Sequence, residues 1–371
     1  MNQTKCTIMR GGTSKGIFFR VEDMPKDKSH WNDFLLDVMG SPDARQIDGL
    51  GGANSLTSKV AIIGKSPLEG IDIDYTFAQV SIKNTTVDLR GNCGNILSAV
   101  GPYAVDKGLI ENVQPITKVM VRNTNTNKLF SVNVPVCQGK VVSTGDYQIQ
   151  GVPGYGAPID IDFHHPFGAV TGKLLPTDLT KNMISTTLGN IEISIVDSGN
   201  PLVFVKSKSI GIRDEDIFEP LSDDKLNILE EIRSIACELC GFASKERATA
   251  ESPAVPKMTI IAQSDHFNGS QQVNSDTPQA NIAVRMMSMQ KPHQALAITG
   301  AVCTATAALL PETLVFDTIS ALQDGVINIV HPSGIMPVYY TLSDDDTIDV
   351  ISVKRTARKI MDGIVYTKRS Y

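Results

Sequence analysis

Arg90-Gly91-Asn92-Cys93-Gly94-Asn95 leads straight into the apolar run Ile96–Lys107, which reads as a helix. The stretch sets one thiol among glycines and small amides at the first turn of that helix. The first N–H groups of a helix have no intrahelical partner, and the macrodipole is positive there. Such a position favours a thiolate and suits a residue that accepts and returns protons near neutral pH. The same N–H groups can hold a carboxylate, with Gly94 and Asn95 nearest the thiol. The flanking small residues let a ligand approach the backbone. The plainer reading of Cys93 is a buried thiol at a tight turn.

A second helix of the same character spans Gly300–Leu309, is opened by Thr299-Gly300-Ala301 and is stopped by Pro311. The cores of the two helices, Ile96–Val105 and Val302–Leu310, are apolar around most of their circumference, so each is expected to be wrapped by its own sheet. Strands surround both. In the first half they read as Cys6–Arg10, Gly16–Arg20, Lys59–Gly64, Ile71–Ile82, Thr117–Asn123 and Leu129–Val136. In the second half they read as Ile191–Val196, Leu202–Lys206, Lys257–Ala262, Val326–Val330, Met336–Leu342, Thr347–Thr356 and Ile360–Lys368. Further helices are predicted at Ser29–Met39, with Ser29 as cap and Gly40 as stop, at Ser222–Cys240, and near Ala280–Met289. The turn-rich Val152–Pro158 stretch and the irregular residues up to about Thr180 read as a passage between domains. The expected organisation is a structural pseudo-repeat of fold class α+β, with domains 1–184 and 185–371.

A chain of 371 residues is long enough for two cores. Its net charge of −6, with no Lys/Arg block, argues against a nucleic-acid surface. The apolar runs are short and broken by charge, and Met1–Lys5 has no signal core, so no membrane partner and a cytoplasmic location are expected. In that compartment the six cysteines are thiols. The six histidines lack metal-ligand spacing, and Cys237-x-x-Cys240 lies inside a helix without a partner pair, so no metal site is expected. A homo-oligomer is left open.

Three other segments can carry chemistry. Gly51–Lys59 is a Gly-rich loop running into a strand, with Lys59 at its start. It is neither a Walker A loop nor a dinucleotide fingerprint. By itself Lys59 reads as a solvated strand-end lysine; the sharper reading is a partly buried amine that moves protons. Met9-Arg10-Gly11-Gly12-Thr13-Ser14-Lys15-Gly16 is a strand-connecting turn whose Thr13, Ser14 and Lys15 suit a carboxylate or phosphate. Asn200, in the Asp197–Pro201 turn, and Ser333, in His331-Pro332-Ser333-Gly334, can hydrogen-bond a ligand or simply make turns. Arg285 and His293 are placed at a helix end. Aligning Gly300 with Gly94 puts Thr299 at the place of Cys93 and points Cys303 into the core.

Met9–Gly16, Gln46–Gly49 with Thr57-Ser58-Lys59, Gly91–Asn95, Thr299–Thr304 and His331–Gly334, in this order along the whole chain, resemble the methylaconitate/methylitaconate isomerases, the PrpF-type proteins. The resemblance implies a diaminopimelate-epimerase-like fold, two similar domains each with a mixed barrel-like sheet around a central helix, and an active site in the cleft between them. It implies that Lys59 and Cys93 transfer the proton. It also implies no cofactor and a small unsaturated di- or tricarboxylate as substrate. A threonine in place of a second thiol makes racemisation less expected. With Gly94, Asn95, Gly300 and Ala301 holding developing charge, Lys59 and Cys93 would move a double bond or interconvert cis and trans forms. A keto–enol tautomerase of an oxalomesaconate type and a non-catalytic binder of aconitate-like acids are the competing readings.

Overall fold

The chain divides at His164 and not near residue 184, and its last residues return to the first half: one unit is Met1–His164 with Lys354–Tyr371, the other His165–Val353. The computed structural model describes residues 2–267, 278–320, 322, 325–345 and 347–371. Among them no helix is long and apolar enough to cross a membrane.

The first unit contains β1 (Asn2–Gly11), β2 (Ser14–Arg20), α1 (Trp31–Met39), β3 (Lys59–Lys65), β4 (Ile73–Val80), β5 (Val87–Asp88), α2 (Gly94–Leu97) and α3 (Val100–Asp106). It continues with β6 (Ile116–Asn123), β7 (Lys128–Cys137), β8 (Lys140–Val141) and β9 (Ile159–His164). The second unit contains β10 (Asn182–Thr186), β11 (Gly189–Ser198), β12 (Asn200–Lys206), α4 (Asp223–Leu239), α5 (Ala248–Glu251), β13 (Lys257–Ala262), β14 (Ile282–Ser288) and β15 (Lys291–Pro292). Then come α6 (Ile298–Leu309), β16 (Val326–His331), β17 (Gly334–Leu342) and β18 (Ile348–Arg355). Finally β19 (Ala357–Thr367) pairs antiparallel with β1 in the first unit.

The two units share one topology. In the first, β1 is antiparallel to β2, β2 parallel to β3, β3 antiparallel to β4, β4 parallel to β6, and β6 antiparallel to β7. In the second, β11, β12, β13, β14, β16 and β17 repeat that series in the same order and the same senses. The expected pseudo-repeat and the α+β class are therefore present, as a mixed sheet with a central helix in each unit. Every residue of α2 is buried, as are Val100–Val105 of α3, and α6 is buried from Ile298 to Ala308. Burying a Val, Leu or Ile side chain is worth roughly 1.5–3 kcal/mol. Packing on all sides thus holds α6 although its N-cap, Ala297, makes no side-chain cap bond.

Several sequence expectations need correction. The run Ile96–Lys107 is two helices, α2 and α3, broken at Ser98–Ala99. Pro102 explains the break, because its ring has no N–H and clashes with the carbonyl four residues earlier, that of Ser98. Ala280–Met289 is not a helix but the strand β14, buried from Ile282 to Met287. A short continuous apolar run buried on both faces has no periodicity to separate it from a helix. The passage after Val152 is not irregular throughout: it contains β9, whose Ile159, Ile161 and Phe163 alternate inward with Asp160, Asp162 and His164. Ser29 does not cap α1: its N–H is itself received by the Asp27 carboxylate, and Gly40, at φ 73°, makes the expected stop.

Candidate active site

Cys93 is the N-cap of α2, in extended conformation, with its carbonyl accepting the Leu97 N–H at 2.9 Å. That is the first intrahelical bond, so the N–H groups of Gly94, Asn95 and Ile96 precede the ladder. The β1–β2 hairpin closes directly on this helix start. Gly12 has φ 51°, and a Cβ there would lie 2.1 Å from Asn95 Oδ1; a Cβ on Gly11 would lie 2.3 Å from the Asn95 carbonyl. Only glycines let the hairpin approach so closely. Thr13 then donates its N–H to Asn95 Oδ1 at 3.3 Å. Arg10 fixes the turn by donating to the carbonyls of Gly12 and Thr356, both at 2.9 Å.

Lys59 opens β3, which runs parallel to β2 with Lys59 beside Gly16. A Cβ on Gly16 would sit 2.9 Å from Ile96 Cδ1 and 3.1 Å from the Lys59 carbonyl, so this glycine separates α2 from the start of β3 by the width of one backbone. The Lys59 side chain is 8% exposed. Its ammonium donates to Gln79 Oε1 at 2.6 Å and lies 5.1 Å from the Phe77 ring centroid. Tyr75, Phe77 and Gln79 alternate along β4 and so share one face. Tyr75 is fully buried; burial, reinforced by Cys93 nearby, pushes its hydroxyl well up. Lys59 therefore lies against the face of β4 that carries Phe77 and Gln79. In the same unit Ser14 Oγ, Tyr75 OH and the Asn92 amide are buried without a protein partner. A buried polar group left unpaired costs about 1–3 kcal/mol, which a polar ligand can offset.

The loop before Lys59 is held by Gln46, which the sequence shows only as part of a motif. Gln46 Nε2 donates to Ser41 Oγ at 3.0 Å and Ser58 Oγ at 2.8 Å, and its Oε1 accepts the Ala53 N–H at 2.9 Å. Gln79 does not stand out in the sequence; the Lys59–Gln79 cross-strand register reveals it. Lys15 is half-buried at the hairpin, its N–H donated to the Leu56 carbonyl.

In the second unit the same plan recurs around α6. Gly199, at φ 67°, turns β11 into β12 against Thr299 and Val302, and Asn200 follows it, buried. By N-cap and by this turn contact, Ala297 matches Cys93 and Thr299 matches Asn95, which corrects the alignment based on Gly300. Ala301 also loses its expected role, because its N–H is already donated to the Ala297 carbonyl at 2.8 Å. The N–H groups ahead of that bond belong to Ile298, Thr299 and Gly300. Gly300 packs tightly on Met286, where a Cβ would meet the sulfur at 2.7 Å. Cys303 is buried as expected and donates to the Val196 carbonyl. Ser333 Oγ donates to the Gln294 carbonyl in the turn joining β16 and β17. Arg285 is not at a helix end: it lies in β14 and donates to the carbonyls of Ile217 and Glu219.

The family model of the PrpF protein matches residues 1–368. The chain belongs to the PrpF family. It is 50% identical to the YraM protein of Bacillus subtilis strain 168, over 100% of this chain and 99% of that one. It is 41% identical to the 3-methylitaconate isomerase of Eubacterium barkeri, over 98% and 97% of the two chains. The (4E)-oxalomesaconate Delta-isomerase of Novosphingobium sp. strain KA1 is 35% identical, over 99% and 98%. Among solved structures, a methylitaconate-delta-isomerase superposes with TM-score 0.84 at 41% identity, covering 99% of this chain and 96% of its own. A hydroxyproline epimerase from Agrobacterium vitis matches at TM-score 0.58 and 10% identity, covering 98% of this chain and 92% of its own, and shares the fold alone. The PrpF fold is thus of the epimerase-like α+β kind.

Proposed function

We propose that this PrpF-family chain is a cofactor-independent isomerase that moves the double bond of a small unsaturated di- or tricarboxylate of the methylitaconate or 2-methylaconitate type. The observation that carries the reading is a buried lysine at the start of β3 and a thiol capping α2, in a chain 41% identical end to end to a 3-methylitaconate isomerase. In such an acid one C–H is flanked by a vinyl group and a carboxylate. Its removal leaves a dienolate, and return of a proton at the far allylic carbon shifts the double bond. One proton leaves and one arrives, with no redox change and no group transfer, so the step asks for an acid, a base and a place for negative charge.

Cys93 and Lys59 are the proposed pair, one taking the proton and the other supplying it. The N–H groups of Gly94 and Asn95 stabilise the developing charge. Thr13, Ser14 and Lys15 hold a carboxylate in the first unit. In the second unit, carboxylate contacts are proposed for Asn200, Thr299, Gly300 and Ser333, with Ala301 contributing wall and not N–H.

The test is proton NMR of methylitaconate, 2-methylaconitate and oxalomesaconate, each incubated with the protein in deuterated water. Deuterium should enter the allylic carbon of at least one acid as its double bond moves. Cys93→Ser and Lys59→Ala should each lose at least about 10²-fold in rate, the contribution of a positioned acid or base, while still binding trans-aconitate. Unchanged turnover in either variant removes that residue from the mechanism. Binding of these acids with no exchange would instead identify a binding protein.

A further inference from the structure

We infer that Gln79 is a positioning residue that holds the Lys59 ammonium on a neutral acceptor, keeping its charge for an anionic substrate and its proton free to move. The inference rests on the proposed proton-transfer role of Lys59. Gln79 stands directly opposite Lys59 in the β3–β4 register. Its Oε1 receives the ammonium at 2.6 Å, and its Nε2 donates to the carbonyls of Ser58 at 2.9 Å and Ser55 at 3.2 Å. Carbonyls only accept, so the amide cannot turn over: a flipped amide would aim its NH₂ at the ammonium and its oxygen at two carbonyls. The Ser58 end is itself fixed, with Ser58 Oγ donating to the Val80 carbonyl at 2.9 Å and receiving Gln46 Nε2. The second contact of the ammonium, the Phe77 ring, is also neutral.

The charged and titratable groups nearby belong to other bonds or other roles. Asp88, across from Gln79 on β5, is paired with Arg90 at 3.1 Å. Tyr75 lies along β4, Cys93 at the start of α2, and Lys15 on β2. A carboxylate in place of the Gln79 amide would pin the proton on the lysine and cancel its charge toward a polyanion. An amide oxygen gives the same direction without that cost.

The experiment compares Gln79→Glu and Gln79→Leu with the unaltered chain, following deuterium entry into methylitaconate from pH 5 to 10, with trans-aconitate binding measured in parallel. In Gln79→Glu the limb of the kcat/KM profile that reports Lys59 should move to higher pH by about one unit or more, because an adjacent opposite charge favours the ammonium. This holds whether Lys59 acts as base or acid. The same variant should bind trans-aconitate at least about tenfold more weakly, through loss of net positive charge. Gln79→Leu should lower kcat more than it raises KM. A Gln79→Glu protein with the normal circular dichroism, an unmoved profile and unchanged trans-aconitate binding overturns the inference. Full activity of Lys59→Ala, run alongside, would instead overturn the role of Lys59 itself.

Discussion

Cys93 and Cys303 each sit on the central helix of a unit, and their surroundings give them different fates. Cys93 caps α2 at a half-buried position beside unpaired N–H groups. Cys303 lies within α6, where burial pushes its thiol well up and its Sγ faces the Val196 carbonyl. Cys303→Ala should keep most of the activity and cost about 1–3 kcal/mol of stability, the usual range for a buried substitution, as read by urea unfolding. Spacing alone places Cys303 in the core, because a residue further into an all-apolar helix has nowhere polar to point. Lys59 is not legible in this way. Its local sequence fits a solvated lysine as well as a buried one, and only the partners Gln79 and Phe77, brought from β4, distinguish the two.

At the level of elements, the contact between the β1–β2 hairpin and α2 is a close-packed joint. A methyl group at Gly11 would meet a main-chain carbonyl, which cannot swing aside as a side chain can. Gly11→Ala should therefore destabilise the protein by about 1–3 kcal/mol, as overpacking does, and should lower turnover as well by displacing Asn95. Gly91→Ala has open space around its Cβ position and should leave stability within about 0.5 kcal/mol. Thermal unfolding of the two variants side by side checks the contrast. The glycines are visible in the sequence, but not which of them meets a backbone. Pro102 is equally visible, and its consequence, a central helix split into α2 and α3, follows from its missing N–H.

For the molecule as a whole, the return of the C-terminal strand to the first unit adds a strand pairing to its sheet. β19 covers β1 from Asn2 opposite Thr367 to Gly11 opposite Ala357. Asp362 ties this strand down, accepting from Thr7 at 2.6 Å and pairing with Lys107 and Lys359. Burial works against its ionisation, yet the bonds from Lys107, Thr7 and Lys359 outweigh it and hold the carboxyl at about 2. A carboxyl held below its unfolded value of about 3.9 contributes stability that is full above that pH and disappears as the pH falls through the folded value. Asp362→Asn should accordingly be less stable than the unaltered chain at pH 7. The gap should close between about pH 4 and pH 2, as followed by urea unfolding at a series of pH values. Removing residues 357–371 would bare the edge of β1 and take away Tyr371, whose hydroxyl donates to the Asp33 carbonyl and Asp37 Oδ2 against α1. The single tryptophan, Trp31, opens α1, so its emission should shift to the red in that truncation.

Local pattern determined the two buried apolar helical runs, most of the strands, the place of Cys93 at a helix start and the turn at Gly11–Gly12. Each of these depends on periodicity or on backbone freedom within a few residues. Tertiary structure decided what depends on distant partners. It set the boundary at His164, the return of β19 to β1, the strand identity of Ile282–Ser288, and the match of Ala297 with Cys93. It also decided that Lys59 is sheltered by Phe77 and Gln79. A side chain's solvation and hydrogen bonds are set by whatever the fold packs beside it, and that neighbour is seldom close in sequence.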